Sequence, residues 1–234
     1  FVTHPDDELI VYLNERNTVN VLHICHSFSD APDRRSYYIW YKKGKKYKEK
    51  RTTDYSFLPL PLLYLKEMIY TLWWVYWTRV TWDSYIGMDG LCLLFGNFLK
   101  KVGKVKRTIY WAIDFVPANR FSSAIANNIY HKINIHGYKN SDEMWDLSPR
   151  MVEAREKFLR INKSDYKYIQ VVQYGMWVDR INKYTYEECD KDTLVFMGHL
   201  RENQGVQLVL QAMPEILKVK PRFTFKVIGT GPYK

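Results

Sequence analysis

Short apolar runs alternate with helical patterns along most of the chain. Runs of strand length are found at residues 20–25, 83–87, 107–113, 144–147, 169–173, 193–197 and 223–228. Helical patterns lie around residues 8–14, 91–100, 122–136 and 206–219, and Ser148-Pro149 is typical of a further helix start. Strand–helix–strand repetition is characteristic of parallel sheets with right-handed crossovers. The pattern therefore predicts an α/β fold of Rossmann-like units with parallel sheets.

The polar segment 183–191 has no apolar period and is interpreted as a linker. It separates an N-terminal domain over residues 1–182 from the start of a second Rossmann-like domain over residues 192–234. Only 43 residues follow the linker, whereas a complete nucleotide-binding domain needs roughly 150. Since the first residue is Phe1 and not Met, we expect the chain to be a fragment of a longer protein.

The positive charge is concentrated in one segment. The chain carries a net charge of +10, and residues 42–51 (KKGKKYKEKR) supply +6 of it. An apolar, aromatic stretch follows at 57–77, but prolines break its start and Lys66-Glu67 its middle, so it is too interrupted for a spanning helix. We interpret the two segments as a basic loop that leads into a partly amphipathic helix.

This segment could face an anionic membrane surface, because lysines attract acidic headgroups and tryptophan favours the water–lipid interface. The residues expected to do so are Lys42, Lys43, Lys45, Lys46, Trp73, Trp74 and Trp77. The alternative is a solvated loop followed by an ordinary core helix. No RNA- or DNA-binding motif accompanies the basic segment, so a nucleic acid is not expected as a partner.

Cysteine usage indicates the compartment. Cys25, Cys92 and Cys189 are far apart and form no CxxC pair, which favours a reducing, cytoplasmic location over a disulfide framework. We therefore expect a cytoplasmic protein that could sit on the cytoplasmic face of a membrane.

An ordered set of motifs begins at Asp192. Gly198-His199-Leu200 follows a strand, Gln204-Gly205 precedes a helix that has Ala212 near its end, and Gly229-Thr230-Gly231-Pro232 follows the next strand. This order resembles the start of the donor-binding domain of GT-B glycosyltransferases, most closely family 4 (group 1). The segments 171–179 and 141–148 resemble upstream elements of the same family.

The resemblance implies transfer of a sugar from a nucleotide-diphosphate sugar to a glycan or lipid-linked acceptor, with retention and without a metal or other cofactor. The implied donor-binding residues are Gly198, His199, Arg201, Gln204, Gly229 and Gly231. Asp114 would be the catalytic or acceptor-orienting residue near the interdomain cleft, and His4, Pro5, Gly87 and Asp89 would line the acceptor cleft. Each glycine also has a purely structural interpretation as a tight turn, and Asp114 one as a polar anchor at a strand end.

The chain departs from the family at two positions. In the family an Arg and a Lys stabilise the leaving diphosphate, which accumulates negative charge during transfer. Here His199 stands for the Arg and Gln204 for the Lys, and Arg201 is close by and could supply a cation. The Glu-x7-Glu element that contacts the donor in the family lies beyond Lys234, so we expect these 234 residues alone to be inactive.

Three other interpretations stay open. His4-Pro5-Asp6-Asp7-Glu8 resembles the zinc motif of LmbE-like N-acetyl sugar deacetylases, with His131 or His136 as candidates for the third ligand. The alternative for this pentapeptide is a loop followed by a helix whose first turn contains Asp6 and Asp7, where carboxylates are favourable. Finally, the chain could be a binding module that has lost activity, or a scaffold on a membrane surface.

Overall fold

The computed structural model describes residues 5–26, 35–55, 57–175 and 182–231. The chain divides into two compact units, unit 1 over Phe1–Met176 and unit 2 over Trp177–Lys234. The helices are α1 (Pro5–Glu15), α2 (Leu60–Trp77), α3 (Gly90–Lys101), α4 (Ala124–Asn140), α5 (Pro149–Leu159) and α6 (Val206–Val219). The strands are β1 (Asn20–Cys25), β2 (Tyr37–Lys42), β3 (Lys45–Arg51), β4 (Trp82–Gly87), β5 (Val105–Ala112), β6 (Glu143–Asp146), β7 (Ile169–Val171), β8 (Thr193–Met197) and β9 (Thr224–Ile228). The α/β class predicted from the sequence is confirmed, whereas the domain boundary placed after residue 182 stays a prediction.

A four-stranded parallel sheet, in the order β4-β5-β6-β7, forms the centre of unit 1. The central strand β5 is buried from Thr108 to Ala112, as expected for a parallel strand covered on both faces. Leu93 of α3 and Tyr138 of α4 pack against Tyr110 in the main core cluster. The helices predicted around residues 91–100 and 122–136 therefore cover this sheet.

A second sheet in unit 1 corrects the sequence analysis. β1, β2 and β3 form an antiparallel three-stranded sheet, so the strand at 20–25 does not belong to a parallel sheet. The expected basic loop is instead the hairpin β2–β3. Its two-residue turn, Lys43-Gly44, has φ values of 46° and 75°, which are typical of a type I′ turn. The sequence does not predict this hairpin, because a segment as basic as residues 42–51 is more typical of a loop.

A buried ion pair joins β6 to α5. Arg155 donates to Asp146 through Nη1 at 2.9 Å and through Nη2, and both side chains are inaccessible to solvent. The Arg155 guanidinium also lies 3.9 Å from the ring centroid of Tyr138. Both charges are therefore paired with each other where solvent does not reach them.

Unit 2 is a β8–α6–β9 unit whose two strands pair in parallel. None of the described side chains of α6 is buried, and Leu200 is buried in the loop after β8. Across the described parts of both units, no helix has the length and apolar character that crossing a bilayer requires.

Candidate functional site

The parallel strands of unit 1 end at one edge of their sheet, where open α/β sheets bind ligands. β4 ends at Gly87 and β5 at Ala112, so Asp89 and Asp114 follow neighbouring strands at this edge. The fold thus brings three of the predicted residues to one side of unit 1.

Asp89 is the N-cap of α3. Its carboxylate accepts a hydrogen bond from the Cys92 amide at 2.7 Å, a favourable arrangement at a helix N-terminus. The side chain is also exposed at the sheet edge. Asp89 therefore stabilises the helix start while it presents negative charge there.

Asp114 forms an exposed ion pair. Its carboxylate accepts a hydrogen bond from Arg120 at 2.9 Å, and 56% of its side chain is accessible. The side-chain oxygen of Asn127 accepts from the amides of Arg120 and Phe121 at 2.8 and 2.9 Å, which fixes the loop that carries Arg120. A carboxylate held in this way can orient a substrate hydroxyl by accepting its hydrogen bond. No sequence motif marks Arg120 or Asn127, since their roles depend on the course of this loop.

Glu67 of α2 is a buried acid. The residue is 8% exposed, and burial raises the pKa of Glu67 to about 7. Lys66 lowers this pKa while the negative charge of Asp89 raises it further. A carboxyl group with such a pKa exchanges a proton near neutral pH. In the sequence, Lys66-Glu67 stands out as a charged pair within an otherwise apolar stretch. The pattern does not indicate that the Glu67 side chain is buried.

In unit 2, the loops after β8 and β9 run side by side at the carboxyl edge of the strand pair. The Gly198 amide donates to the Ile228 carbonyl and the Leu200 amide to the Thr230 carbonyl, both at 3.0 Å. A Cβ on Gly229 would lie 1.9 Å from the Gly198 oxygen. A Cβ on Gly231 would similarly lie 2.3 Å from the Leu200 oxygen. Both positions therefore require glycine for close approach of the backbones.

The polar candidates of unit 2 immediately precede α6. His199, Arg201 and Gln204 are exposed, and a short 3-10 turn over Glu202–Gln204 leads to Gly205, whose φ is +75°. α6 begins at Val206, and the amides of a helix's first turn attract anions. The structure thus gathers all six predicted donor-binding residues at one edge of unit 2, in an arrangement that suits phosphate.

Comparisons with known proteins give a fold likeness. No protein-family model and no curated protein matches the chain. The catalytic domain of starch synthase IV from Arabidopsis thaliana, bound to ADP and acarbose, matches 91% of this chain with a TM-score of 0.53 and 10% identity. A GtfA/B complex also matches 91% of the chain, with a TM-score of 0.47 and 12% identity. The chain spans 58% of the length of the first structure and 42% of the second.

The chain has a GT-B-like fold. The starch synthase likeness extends over most of the chain and rests on architecture, since few residues are identical. The placement within glycosyltransferase family 4 and the roles of the individual site residues stay predictions.

In this GT-B-like chain the N-terminal pentapeptide leads into α1. Asp6 and Asp7 lie in its first turn, as the helix-start interpretation predicted. Asp6 Oδ2 lies 2.6 Å from His23 Nε2 on β1, so this pair joins α1 to β1. His4 lies outside the described residues and Pro5 begins α1, so their acceptor-cleft roles stay predictions. Within the four described ranges, no group of three or more His, Cys, Asp or Glu could hold a metal ion.

The predicted membrane-facing set needs one correction. Lys42, Lys43, Lys45 and Lys46 are exposed on the hairpin, and Trp73 and Trp77 are exposed on α2. Trp74, by contrast, is 5% exposed, stacks on His26 and contacts Tyr38 edge to face. Its assignment to a membrane-facing surface is therefore wrong, because consecutive helix residues point in different directions.

A buried polar cluster lies next to Trp74. Ser36 Oγ accepts from Lys66 Nζ at 3.0 Å and lies 2.9 Å from His26 Nδ1, while His26 Nε2 lies 2.8 Å from Thr71 Oγ1. Burial and the positive charge of Lys66 together lower the pKa of His26 to about 4. The imidazole is therefore neutral at pH 7, and the cluster is a satisfied internal network. Its members come from three separate segments of the chain, so no local sequence pattern indicates it.

Proposed function

We propose that this chain provides the acceptor-side domain and the opening of the donor-binding domain of a GT-B glycosyltransferase. The enzyme would transfer a sugar from a nucleotide-diphosphate sugar to a glycan or lipid-linked acceptor, with retention of configuration. The carboxyl edge of unit 2 carries the proposal, because its paired glycine loops and Arg201 meet the start of α6 there. The GT-B-like fold supports it, and the starch synthase structure that shares this fold holds ADP, a nucleoside diphosphate.

The leaving diphosphate determines what the donor side must do. Negative charge accumulates on it during transfer, so preorganised amides and cations lower the barrier. The first turn of α6 supplies amides, Arg201 supplies a fixed charge, and His199 supplies a further hydrogen-bonding group. Because these groups stabilise the diphosphate directly, we expect transfer to proceed without a metal ion.

Unit 1 supplies the acceptor side in this proposal. Asp114, held by Arg120, would accept a hydrogen bond from the acceptor hydroxyl and orient it. Its exposed position at the sheet edge is consistent with contact to a substrate. Asp89 and Gly87 follow the neighbouring strand and would border the same acceptor region.

Titration calorimetry tests the donor side. In this proposal, a parent protein that contains this chain together with a complete donor-binding domain should bind ADP, GDP or UDP more tightly than the corresponding nucleosides. Arg201→Ala removes the charge-assisted hydrogen bond between the guanidinium and the diphosphate, so it should weaken diphosphate binding by about tenfold or more. Lys220→Ala is the matched control, because Lys220 follows α6 and pairs with Asp192, at the opposite end of the strands. Equal affinity of the Arg201→Ala variant and the unmodified protein, or no preference for diphosphates, would contradict the proposal.

Product analysis tests the reaction itself. Nuclear magnetic resonance of the product should show the anomeric configuration of the donor. We expect turnover by the parent protein and not by these 234 residues alone, and an assay of each with nucleotide sugars decides this directly.

A further inference from the structure

Helix α2 buries its two charged side chains and exposes a line of apolar ones. Lys66 and Glu67, the two charged residues of the helix, are both buried. A line of apolar side chains three or four positions apart is instead 45–57% exposed, and we call it the α2 stripe: Leu62, Leu65, Ile69, Trp73 and Tyr76. A helix on a water-facing surface has the opposite polarity. The α2 stripe therefore marks a surface built for an apolar contact.

The basic hairpin β2–β3 lies beside the α2 stripe. An open groove of about 640 Å³ is lined by Trp40 and Tyr47 of the hairpin and by Trp73, Tyr76 and Trp77 of α2. A neighbouring groove of about 460 Å³ is lined by Lys48, Lys50 and Arg51 together with Trp73 and Trp77. The apolar stripe and the cationic hairpin thus form one continuous surface of unit 1.

Lysine side chains cover several aromatic rings of this surface. Lys42 Nζ lies 3.5 Å from the ring centroid of Tyr47, and Lys48 Nζ lies 3.9 Å from that of Trp77. Lys104 Nζ similarly lies 4.5 Å from the ring centroid of Tyr76. Such cation–π contacts hold the ammonium groups in place while their other N–H bonds stay free for an anion. Within the described part of the chain, none of these three lysines forms an ion pair.

The lysine–aromatic contacts of this surface favour a lipid bilayer over a nucleic acid or a protein as its partner. Nucleobases bind such surfaces by stacking on open ring faces, and here lysines already occupy faces of Tyr47, Tyr76 and Trp77. Protein interfaces are depleted in lysine, whereas residues 42–51 contain six. A bilayer with acidic headgroups accommodates both parts of the surface, because lysines bind the headgroups and tryptophan and tyrosine favour the interface.

We propose that the α2 stripe and the basic hairpin dock unit 1 onto an anionic lipid bilayer. α2 lies in the plane of the interface with its stripe at the boundary between headgroups and acyl chains, and the hairpin lysines contact the headgroups. This role requires no membrane-spanning helix. It does not depend on sugar transfer, so its test is independent of the proposed function.

Vesicle flotation tests the proposal on the full chain. The chain should bind vesicles of phosphatidylcholine with about one-third phosphatidylglycerol and not vesicles of phosphatidylcholine alone. Lys43→Glu with Lys45→Glu should lower the partition coefficient about 25-fold or more, because each lysine near the surface contributes about fivefold and its reversal adds repulsion. Ile69→Ser with Trp73→Ser should lower it about tenfold or more through the lost apolar contact.

Ile129→Ser with Lys132→Glu on α4 is the matched control, because it changes one exposed apolar and one exposed basic residue elsewhere on unit 1. This control should bind as the unmodified chain does, and circular dichroism should show the same fold for all variants. The proposal fails if the hairpin variant or the stripe variant binds anionic vesicles as well as the unmodified chain. It also fails if a single-stranded oligonucleotide, and not the vesicles, binds in a way that these variants abolish.

Discussion

Strands β5 of unit 1 and β8 of unit 2 have the same place in a strand–helix–strand pattern, yet they are buried to different extents. β5 is buried over five consecutive residues from Thr108 to Ala112. In β8, Leu194, Val195 and Met197 are 43%, 51% and 80% exposed. A parallel strand needs helices on both faces. In unit 1 the consecutive buried residues of β5 show that both of its faces are covered, and α3 and α4 pack together against Tyr110 and Ala112. The described part of unit 2 has the single α-helix α6.

The difference shows that a site edge can be held in two ways. In unit 1 the strands that carry the edge loops belong to a sheet packed against a side-chain core, and a buried ion pair joins β6 of that sheet to α5. In unit 2 the loops after β8 and β9 support each other through backbone hydrogen bonds and glycine contacts. Substitutions of side chains should therefore affect unit 1 most, and added side-chain volume at glycine should affect the edge of unit 2.

The ion pairs of the two units give the largest expected contrast. Arg155→Met leaves the Asp146 carboxylate buried without its partner, so we expect the free energy of unfolding to fall by about 3–5 kcal/mol. Lys220→Met removes an exposed pair with Asp192 and should change it by less than about 1 kcal/mol. Urea denaturation followed by circular dichroism measures both.

A double variant completes this test. Arg155→Met with Asp146→Leu removes both charges and should recover part of the lost stability, since no unpaired charge remains. Equal effects of Arg155→Met and Lys220→Met would show that burial does not distinguish the two units.

A glycine substitution tests the backbone contacts that hold the edge of unit 2. Gly229→Ala places a methyl group against the Gly198 carbonyl, so the loops must separate, at a cost of about 1–3 kcal/mol. Hydrogen exchange of the Leu200 amide should accelerate, and nucleoside diphosphate binding should weaken. Gly175→Ala is the control in unit 1, because nothing lies within 4 Å of a Cβ at that position. Unchanged exchange at Leu200 in the Gly229→Ala chain would mean that the loops do not depend on their close approach.

Local patterns in the sequence were sufficient for most elements of both units. The runs at 83–87 and 193–197 are β4 and β8 to within one residue, because each is a segment of strand length that is followed by a turn. The hairpin β2–β3 was missed because its edge strand consists almost entirely of charged residues and its partner is specified by pairing with β1. Sequence patterns describe single elements, and pairing across the chain lies beyond them.

The candidate site shows the same division. Gly198 and Gly229 were identified from motif order, because a glycine directly after a strand is a local signal. Arg120 and Glu67 were not identified as site residues, because their positions depend on a loop conformation and on the side of α2 that faces inward. Trp74 was assigned to the surface together with its neighbours, since aromatic density alone does not indicate which ring is buried.

The pH dependence of stability should also differ between the two units, by a smaller amount, because a buried carboxyl group of unit 1 and an exposed one of unit 2 titrate in different pH ranges. Burial raises the pKa of Glu67 from 4.5 to about 7, so the unfolded chain releases this proton at a lower pH than the folded chain. The stability of unit 1 should therefore fall as pH rises from about 5 to 7.5. In Glu67→Gln this part of the decrease should disappear, and the variant should be more stable at pH 8 by about 1 kcal/mol, because the lost attraction to Lys66 offsets part of the relief.

Asp190 of unit 2 provides the control for this pH effect. Hydrogen bonds from Thr193 and the Asp192 amide lower the pKa of Asp190, and it is fully exposed. Stability linked to this group is present above its ordinary pKa and is lost as pH falls below about 4. Asp190→Asn should therefore leave the profile between pH 5 and 8 unchanged, as thermal denaturation at a series of pH values would show. If Glu67→Gln retains the full decrease between pH 5 and 7.5, then another group of unit 1 titrates there and Glu67 is not the buried acid responsible.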